Sequence, residues 1–397
     1  MDILVIGGGP AGMMAAIHAA RGGAKVRLLE GNDRIGKKLL ATGNGKCNLT
    51  NRDEDLAHYY SHDAGCLPAV FSAFSFADTR HFFENAGIVF KERNGWLYPY
   101  AEQAQAVLAV LERMLQQEKV TIKTREKVTA IEKTQDGFLV KTETWKYSAN
   151  RVIVTTGGPA SAIEGSSDTG MQLVRSLGHT LYPPIPALVP LKIREKAYGV
   201  WVGTRMDATA VLLIDGVPTA RERGEIQFTE YGISGIAVFQ LSIRALLAVE
   251  EGKKVQICLD LMPDFSAQEL TDLLESRRDT LSVSREADLF TGLLPDRMIR
   301  ALIGKSSRSA TVYASMLKGL TVTVTAAHSM ARAQVANGGI ALSEITVPSM
   351  ASKKLPGLYL AGEVLDVCGT CGGYNLQWAW SSGALAGIYA SRQEENQ

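Results

Sequence analysis

The stretch that decides the fold reads ILVIGGGPAGMMAAIHAARGGAKVRLLEG and covers residues 3–31. Ile3–Ile6 is a short aliphatic run of the kind that forms a buried parallel strand. Met13–Ala20 consists of small and apolar residues and predicts a helix, and Lys25–Leu29 predicts a second strand. The stretch therefore predicts a βαβ unit in which a glycine-rich turn joins the first strand to the helix.

Each glycine of this G-x-G-x-x-G turn has its own physical task. Gly7 permits the tight turn, Gly9 lets a pyrophosphate approach the backbone, and Gly12 lets the helix pack closely on the strand. Free N–H groups at the N terminus of the helix then face the phosphates. Glu30 ends the second strand, where its carboxylate can accept hydrogen bonds from ribose hydroxyls, and an acid here favours a ribose without a 2′-phosphate. FAD and NAD both meet these requirements.

The next stretch favours FAD. Residues 34–51, RIGKKLLATGNGKCNLTN, combine two adjacent lysines with glycines and polar side chains. A loop so rich in N–H donors and positive charge suits a second approach to a pyrophosphate or to the edge of a flavin, for which an NAD domain has little use. The alternative is a flexible surface loop, which we would expect to contain more serine, proline and acidic residues.

Two later strands end in glycines and complete the predicted domain. Val152–Val154 runs into Gly157, and Leu358–Ala361 runs into Gly362 and Glu363. Ligands of a doubly wound sheet lie at the carboxyl ends of its strands, so both turns should face the crevice of the first turn, with Glu363 placed for the ribityl hydroxyls. The chain contains one complete G-x-G-x-x-G, so we expect a nicotinamide donor to bind only transiently.

The segment CGTCGGYN, residues 368–375, admits two interpretations. Its glycines predict a cradle for the cofactor, and the helix expected from about Asn375 would direct its partly positive N terminus at the negative ring of a reduced flavin. Cys368 and Cys371 have the spacing of a redox dithiol, which could pass electrons to a disulfide substrate. We favour inert small residues of a tight loop over that dithiol, and we interpret Cys47 in the other glycine loop in the same way.

Five segments of the chain resemble one family of flavoproteins. They are TGNGKCNLTN at 42–51, GWLYPYAEQA at 95–104, QFTEYGISG at 227–235, NGGI at 337–340 and GLYLAGEVLDVCGTCGGYNLQWAWSSG at 357–383. Over nearly its whole length the chain is similar to the three-domain FAD-dependent oxidoreductase family that includes aminoacetone oxidase and flavin reductases proposed for bile-acid dehydroxylation. The resemblance implies FAD binding, a cytosolic setting and a two-domain insertion within the FAD domain. Its members are linked to different reactions, so the substrate stays open.

The cofactor-binding residues that the motifs and the resemblance imply come from every part of the predicted FAD domain. They are Gly7, Gly9, Ala11, Gly12, Glu30, Lys38, Thr42, Gly43, Asn48, Val128, Gly157, Gly362, Glu363, Gly373, Asn375 and Leu376. No catalytic acid or base follows from the sequence. Tyr374, His328 and Ser234 are polar residues near the expected pocket segments, but their spacing singles none of them out.

The middle of the chain predicts an insertion. Four prolines in LYPPIPALVPL, residues 181–191, are expected to interrupt any regular element, and the pattern from there to about residue 260 is strand-like. Residues 264–281 predict a capped helix, short helices follow, and residues 318–329 return to strand. We therefore predict an α/β fold, in which a Rossmann-like, doubly wound FAD-binding domain (1–186 and 335–397) is interrupted by a small β domain on the substrate side (187–261 and 319–334) that carries a small helical domain (262–318).

Composition restricts the class of protein. The chain has 397 residues, of which 46% are hydrophobic, and its net charge of +1 predicts a small-molecule partner rather than nucleic acid. Its start lacks the pattern of a signal peptide, and no apolar run reaches the roughly 20 residues of a membrane helix, so we expect a cytoplasmic protein with no membrane partner. Its five cysteines are an odd number, unlike a secreted disulfide framework. His58 and His62 lie four residues apart without a third ligand nearby, so no metal site is expected.

Three functions are compatible with these observations. The favoured one is a reductase, in which a nicotinamide donor (NADH or NADPH) reduces FAD and hydride then leaves flavin N5 for a small or steroid-like unsaturated substrate. The alternative is an oxidase of a small, aminoacetone-like amine, which returns electrons to O₂ and releases peroxide. The third is a flavin-binding RNA-modification or sensor protein, against which the neutral charge argues. The oligomeric state does not follow from the sequence.

Overall fold

The computed structural model describes residues 1–281, 285–303 and 308–393. The chain forms two units, one of Met1–Ile185 with Val335–Gln397 and one of Pro186–Gln334. The first unit is therefore discontinuous in sequence, and the second is inserted into it. The helices predicted within residues 262–318 belong to the second unit, and residues 304–306 at the end of one of these predictions lie outside the described residues.

The helices of the described residues are α1 Pro10–Arg21, α2 Lys37–Ala41, α3 Leu67–Ala73, α4 Phe76–Asn85, α5 Ala104–Gln117, α6 Thr169–Ser176, α7 Ile236–Glu250, α8 Ala267–Thr280, α9 Asp296–Ile303, α10 Ala310–Lys318 and α11 Tyr374–Ser391. The strands are β1 Asp2–Ile6, β2 Lys25–Leu29, β3 Thr50–Asn51, β4 Tyr59–Tyr60, β5 Phe90–Arg93, β6 Trp96–Pro99, β7 Thr121–Lys123, β8 Val128–Thr134, β9 Gly137–Thr142, β10 Lys146–Ala149, β11 Arg151–Val154, β12 Leu181–Ala187, β13 Leu191–Ile193, β14 Arg205–Ile214, β15 Val217–Thr229, β16 Gly232–Ser234, β17 Val255–Asp260, β18 Leu320–Ala327, β19 Val335–Ile340, β20 Ile345–Thr346, β21 Ala351–Ser352, β22 Leu358–Leu360 and β23 Cys368–Gly369.

The first unit is built on a sheet with the strand order β20-β21-β22-β11-β1-β2-β7. Strands β22, β11, β1, β2 and β7 are parallel, whereas β20 and β21 are antiparallel additions at one edge. The predicted βαβ unit is confirmed as β1, α1 and β2, and the two later predicted strands are β11 and β22. All four β1 positions after Asp2 are buried, as expected of an aliphatic strand at the centre of a parallel sheet.

Helix α11 packs directly against α1. A Cβ atom on Gly383 would lie 2.4 Å from the carbonyl oxygen of Ala11, and one on Gly387 would lie 2.3 Å from that of Ala15. Glycine at these two positions therefore lets the two backbones approach closely. The contact places the N terminus of α11 on the same unit as the glycine turn that begins α1.

The second unit contains a closed antiparallel barrel with the strand order β13-β16-β15-β14-β17-β18. Helix α7 packs on β14, β15 and β18, and α8 packs on α10. The predicted helix over 264–281 is confirmed as α8, and Ser266 and Glu269 form the expected capping box at its N terminus.

Two expectations for the middle of the chain were wrong. Residues 181–187 are not irregular but form β12, which pairs with β19. Proline suits the extended backbone and is tolerated in a two-stranded pairing, because its missing N–H can face away from the partner strand. The strand-like stretch also contains helix α7, Ile236–Glu250, whose buried residues leave little polar face, so its helical period is weak in the sequence.

Among the described residues, no helix combines the length and apolar character that crossing a membrane requires.

Candidate cofactor site

Four parallel strands direct their carboxyl ends to one edge of the main sheet. Strand β1 leads into Gly7, β2 into Glu30, β11 into the turn at Gly157 and β22 into Gly362. The sequence predicted all four turns separately, and the parallel pairing of their strands brings them together. This edge is where an open α/β sheet binds its ligand.

The glycine turn has the geometry of a phosphate cradle. A Cβ atom on Gly12 would lie 1.9 Å from the carbonyl oxygen of Gly7, and Gly7 itself has a φ of +105° that side chains rarely adopt. By contrast, a Cβ atom on Gly9 would meet nothing within 4 Å. Gly9 is the N-cap of α1, and no side chain caps the helix there. Open space in front of the free N–H groups that follow, including that of Ala11, is the arrangement that binds a pyrophosphate.

The carboxylate of Glu30 is held in place by the backbone around it. Its Oε2 accepts a hydrogen bond of 2.8 Å from the N–H of Gly8, and its Oε1 accepts one of 2.8 Å from the N–H of Asn32. Each oxygen keeps acceptor capacity for a ribose hydroxyl. Val128 is buried at the start of β8, and Glu126, two residues before it, donates its N–H to the carbonyl oxygen of Glu30 at 2.9 Å.

The loop after β2 meets the turn after β22. The Lys38 Nζ atom lies 2.6 Å from Glu363 Oε2, and Glu363 Oε1 accepts the N–H of Ala336 at 3.1 Å. The side chains of Lys38 and Glu363 are 28% and 18% exposed, so the ion pair is shielded but remains reachable by a ligand. Gly158, beside Gly157, leaves room for the Glu363 side chain, since a Cβ atom there would lie 3.1 Å from Glu363 Cδ.

The loop of residues 42–48 contains a buried amide without a partner. Thr42 donates its hydroxyl to the carbonyl oxygen of Leu39 at 2.6 Å, and Gly43 is in the left-handed region with a φ of +56°. The side-chain Oδ1 and Nδ2 atoms of Asn48 are both buried and both lack a hydrogen-bond partner within the protein. Buried amides are normally paired, so Asn48 points to a polar group that a ligand supplies. Together with the open space at Gly9, this unpaired amide fits FAD.

The N terminus of α11 begins one residue earlier than expected, at Tyr374. Its N-cap is Gly373, whose φ is +96° and whose Cβ atom would lie 2.8 Å from the backbone of Thr50. The Asn375 side chain accepts the N–H of Gly369 at 2.8 Å and donates to the carbonyl oxygen of Gly369 at 2.7 Å. The Asn375 side chain therefore holds the CGTC loop, residues 368–371, in place. The backbone N–H groups of the first helical turn, which includes Leu376, are the donors available to a cofactor.

The structure favours the inert interpretation of the cysteines. Cys368 and Cys371 are buried and are not joined by a disulfide. Burial raises the pKa of the Cys368 thiol well above its ordinary value, so this thiol is a poor nucleophile at neutral pH. Burial likewise raises the pKa of Cys47 to about 12, against a smaller opposing effect of the Thr42 hydroxyl.

Sequence reasoning missed a histidine–carboxylate pair beside the CGTC loop. The Nδ1 atom of His62 lies 2.9 Å from Asp366 Oδ2, which also accepts the backbone N–H of His62 at 2.8 Å. His58 and His62 had been considered only as metal ligands, and the described residues contain no cluster that could hold a metal ion. Asp366 follows Glu363 by three residues, and that closeness to a cofactor turn is the signal that could have identified it.

The three polar residues considered as catalytic candidates lie in different places. Tyr374 is buried, and burial raises the pKa of its hydroxyl well above the ordinary value. Ser234 is buried in barrel strand β16 of the second unit. His328, also in the second unit, has its pKa lowered by burial and by Lys192 and Arg332, and its Nδ1 lies 3.1 Å from the Ser329 hydroxyl. None of the three is thereby singled out.

Comparisons with known proteins show which proteins this chain is similar to. The HI0933-like protein Rossmann domain matches residues 1–389. The chain is 38% identical to the 3-dehydro-bile acid delta(4,6)-reductase of Clostridium scindens, with 98% of each chain covered. It is 28% identical to the ribosomal RNA dihydrouridine synthase of Escherichia coli, with 96% of each covered. The solved 3-ketosteroid-delta4-(5alpha)-dehydrogenase of Rhodococcus jostii has the same fold, with a TM-score of 0.50 at 15% identity and with 99% of this chain and 97% of that chain covered.

Proposed function

The chain belongs to the HI0933-like Rossmann family and is an FAD-dependent oxidoreductase, and from that premise we propose that it reduces a carbon–carbon double bond conjugated to a ketone in a steroid-like substrate. NADH or NADPH is the proposed electron donor. The observation that carries the proposal is the 38% identity, over 98% of both chains, to a 3-dehydro-bile acid delta(4,6)-reductase.

The residues of the candidate site have defined parts in this proposal. The N–H groups at the start of α1 bind the pyrophosphate, and Glu30 binds the ribose of the adenosine half. The Lys38–Glu363 pair contacts the cofactor where the loop after β2 meets the turn after β22. Asn48 pairs its free amide with the cofactor. The N terminus of α11 carries a partial positive charge, which would stabilise the negative ring of a reduced flavin bound in front of it. The flavin, when bound, supplies the hydride.

A second candidate is reduction of a pyrimidine base in RNA. The whole-length match to the ribosomal RNA dihydrouridine synthase favours it, because that name also denotes the addition of two hydrogens to a double bond. The net charge of +1 weighs against it, since phosphate binding normally needs a basic surface. The absence of a nucleic-acid partner therefore remains part of the proposal. A cytoplasmic location is proposed as well.

The test follows the visible flavin spectrum under anaerobic conditions. NADH and then NADPH are added to the oxidised protein, and a 3-oxo steroid with conjugated double bonds is added to the reduced protein. We expect bleaching by one donor, then reoxidation by the steroid with one double bond reduced per flavin. If neither nicotinamide bleaches the flavin but aminoacetone does, with peroxide formed in air, the protein is an amine oxidase instead. Reoxidation by a uracil-containing RNA fragment, and not by the steroid, would establish the second candidate.

A further inference from the structure

We propose that His62, oriented by Asp366, donates the proton that completes reduction of the double bond. This inference rests on the proposed function, because it assigns a proton donor to that reaction. The observation behind it is a ring whose Nδ1 is bound to a buried carboxylate 2.9 Å away, while its side chain is 53% exposed. An imidazole held in this way presents Nε2 outward, as the general acid of a histidine–carboxylate pair does.

Strand pairing determines that these two residues meet. Cys368 pairs with Tyr60 and Gly369 pairs with Tyr59 in the antiparallel ladder of β4 and β23. Continued by two positions, the same register sets Asp366 opposite His62, where the N–H of His62 donates to the Asp366 carboxylate. The pair therefore lies on the segment that joins the cofactor turn at Glu363 to the N terminus of α11.

The carboxylate is in an unusual state of burial. The Asp366 side chain is 1% exposed, and its Oδ2 is the acceptor for His62 and, at 3.5 Å, for the Ser61 hydroxyl. Its Oδ1 is buried and has no hydrogen-bond partner within the protein. A buried carboxylate needs hydrogen-bond partners, and the backbone N–H and the ring Nδ1 of His62 both lie at hydrogen-bond distance from it. Asp366 is therefore a positioning residue that fixes the orientation of the His62 ring.

The remaining surroundings of His62 restrain the ring without blocking it. Tyr182 stacks on it with the ring centroids 3.9 Å apart and an interplanar angle of 14°. Asp63, the next charged residue, is engaged elsewhere, since its Oδ2 accepts the N–H of Ser343 at 2.9 Å. Stacking on one face and the hydrogen bond at Nδ1 leave Nε2 as the ring atom available for a substrate.

His58 shows what a purely structural histidine looks like on the same segment. Its Nε2 lies 3.0 Å from Asp53 Oδ2 and its Nδ1 lies 3.2 Å from the Thr370 hydroxyl. Its ring also stacks on Tyr374 at 4.2 Å. Both ring nitrogen atoms of His58 thus have hydrogen-bond partners within the protein. His58 therefore stabilises the CGTC loop, and neither nitrogen is available to a substrate.

Reduction of a conjugated double bond adds a hydride to one carbon and a proton to the carbon next to the ketone. FAD held in the site and reduced by the nicotinamide donor would supply the hydride, which carries both electrons. The Nε2–H bond of His62 breaks as the new C–H bond forms, and the neutral ring keeps its Nδ1–H on Asp366. Nε2 then takes a proton from water, which restores the starting state.

The test separates the two half-reactions in the flavin-loaded protein. His62→Gln is compared with His81→Gln, an exposed histidine of α4, by stopped-flow mixing first with the nicotinamide donor and then with the conjugated steroid. We expect both variants to be reduced by the donor at the wild-type rate. Reoxidation by steroid should slow by about 100-fold or more in His62→Gln, the range that general acid catalysis contributes, and stay unchanged in His81→Gln. Imidazole added to His62→Ala should restore part of the lost rate.

A second measurement does not depend on turnover. The ring ¹⁵N signals of His62 are expected to respond when the steroid binds to the oxidised protein, whereas those of His81 are not. Asp366→Asn should slow reoxidation with little change in KM, provided that its flavin content matches wild type. If wild type reduces the steroid and His62→Gln does so equally fast, the inference is wrong while the proposed function stands. If wild type itself fails to reduce the steroid, the proposed function is wrong, and the inference fails with it.

Discussion

Lys38 and Glu363 form an ion pair of 2.6 Å although they lie 325 positions apart along the chain. Lys38 is on α2, shortly after the second strand of the βαβ unit, and Glu363 is on the turn after β22. Glu363 also accepts the N–H of Ala336 from β19. The pair therefore joins three distant segments at the carboxyl edge of the sheet, where the cofactor is proposed to bind.

Removing the cation of this pair should weaken cofactor binding. In Lys38→Met the Glu363 carboxylate keeps its hydrogen bond to Ala336 but loses its counter-ion beside the proposed pyrophosphate. We expect the Kd of FAD, measured by flavin fluorescence on flavin-depleted protein, to rise about tenfold. Glu363→Gln should have a smaller effect, because it removes the negative charge while keeping the side chain's shape. Equal FAD affinity in Lys38→Met and wild type would show that the pair has no part in the cofactor site.

Gly9→Ala should separate cofactor binding from folding. The new methyl group meets no protein atom within 4 Å, so the free energy of unfolding of the flavin-depleted protein should fall by less than about 1 kcal/mol, an N-cap effect. The methyl group occupies the space in which a phosphate would approach, so the Kd of FAD should rise by about tenfold or more. Gly65→Ala, whose methyl group also meets nothing, is the matched control and should leave the Kd unchanged. Unaltered FAD binding in Gly9→Ala would place the pyrophosphate elsewhere.

Gly12→Ala should have a different effect from Gly9→Ala. Its methyl group would lie 1.9 Å from the carbonyl oxygen of Gly7, so the backbone of the turn itself must move. We expect a loss of several kcal/mol in the free energy of unfolding, as for other overpacked core positions, measured by urea denaturation. Wild-type stability would mean that α1 can move away from β1 without cost.

The paired cysteines should be dispensable for electron transfer. Because burial raises the pKa of Cys368, its thiolate is scarce at pH 8, and a disulfide reagent should label it far more slowly than the less buried Cys66. The double variant Cys368→Ala with Cys371→Ala should keep the wild-type rates of flavin reduction by the nicotinamide donor and of flavin reoxidation by the acceptor. A loss of electron transfer from flavin to acceptor in this variant, with flavin content intact, would instead support a redox dithiol.

His18 should make the stability of the first unit depend on pH. Burial, and to a lesser extent Arg21, lowers its pKa from 6.5 to about 4, and its ring packs between Phe74 and Phe82. The unfolded chain therefore binds the proton more readily, so the stabilisation from neutral His18 is complete above about pH 6.5 and is lost as the pH falls towards 4. The expected loss is about 3 kcal/mol. His18→Asn should flatten the slope of unfolding free energy over this window, whereas His81→Gln should not. An unchanged slope in His18→Asn would assign the pH dependence to other groups.

The sequence alone was sufficient for features that depend on neighbouring residues. The βαβ unit of residues 2–29, its glycine turn, the strands at β11 and β22 and the capping box of Ser266 and Glu269 are local patterns. Hydrophobic period and turn chemistry act over a few residues, so a single sequence reveals them. Helix α7 was not predicted because its sequence, IAVFQLSIRALLAVE, is apolar on nearly every side and lacks the polar face that makes a helical period visible.

Only the tertiary structure decided how these local elements make a site. The pairing of Lys38 with Glu363 and of His62 with Asp366 depends on parallel strands converging at one sheet edge and on the register of β4 against β23. Burial likewise makes Cys368 a poor nucleophile. It also leaves the side-chain amide of Asn48 without a hydrogen-bond partner within the protein. Contacts between residues hundreds of positions apart, and the desolvation that accompanies them, leave no local pattern in the sequence, because they arise only when separate segments pack together.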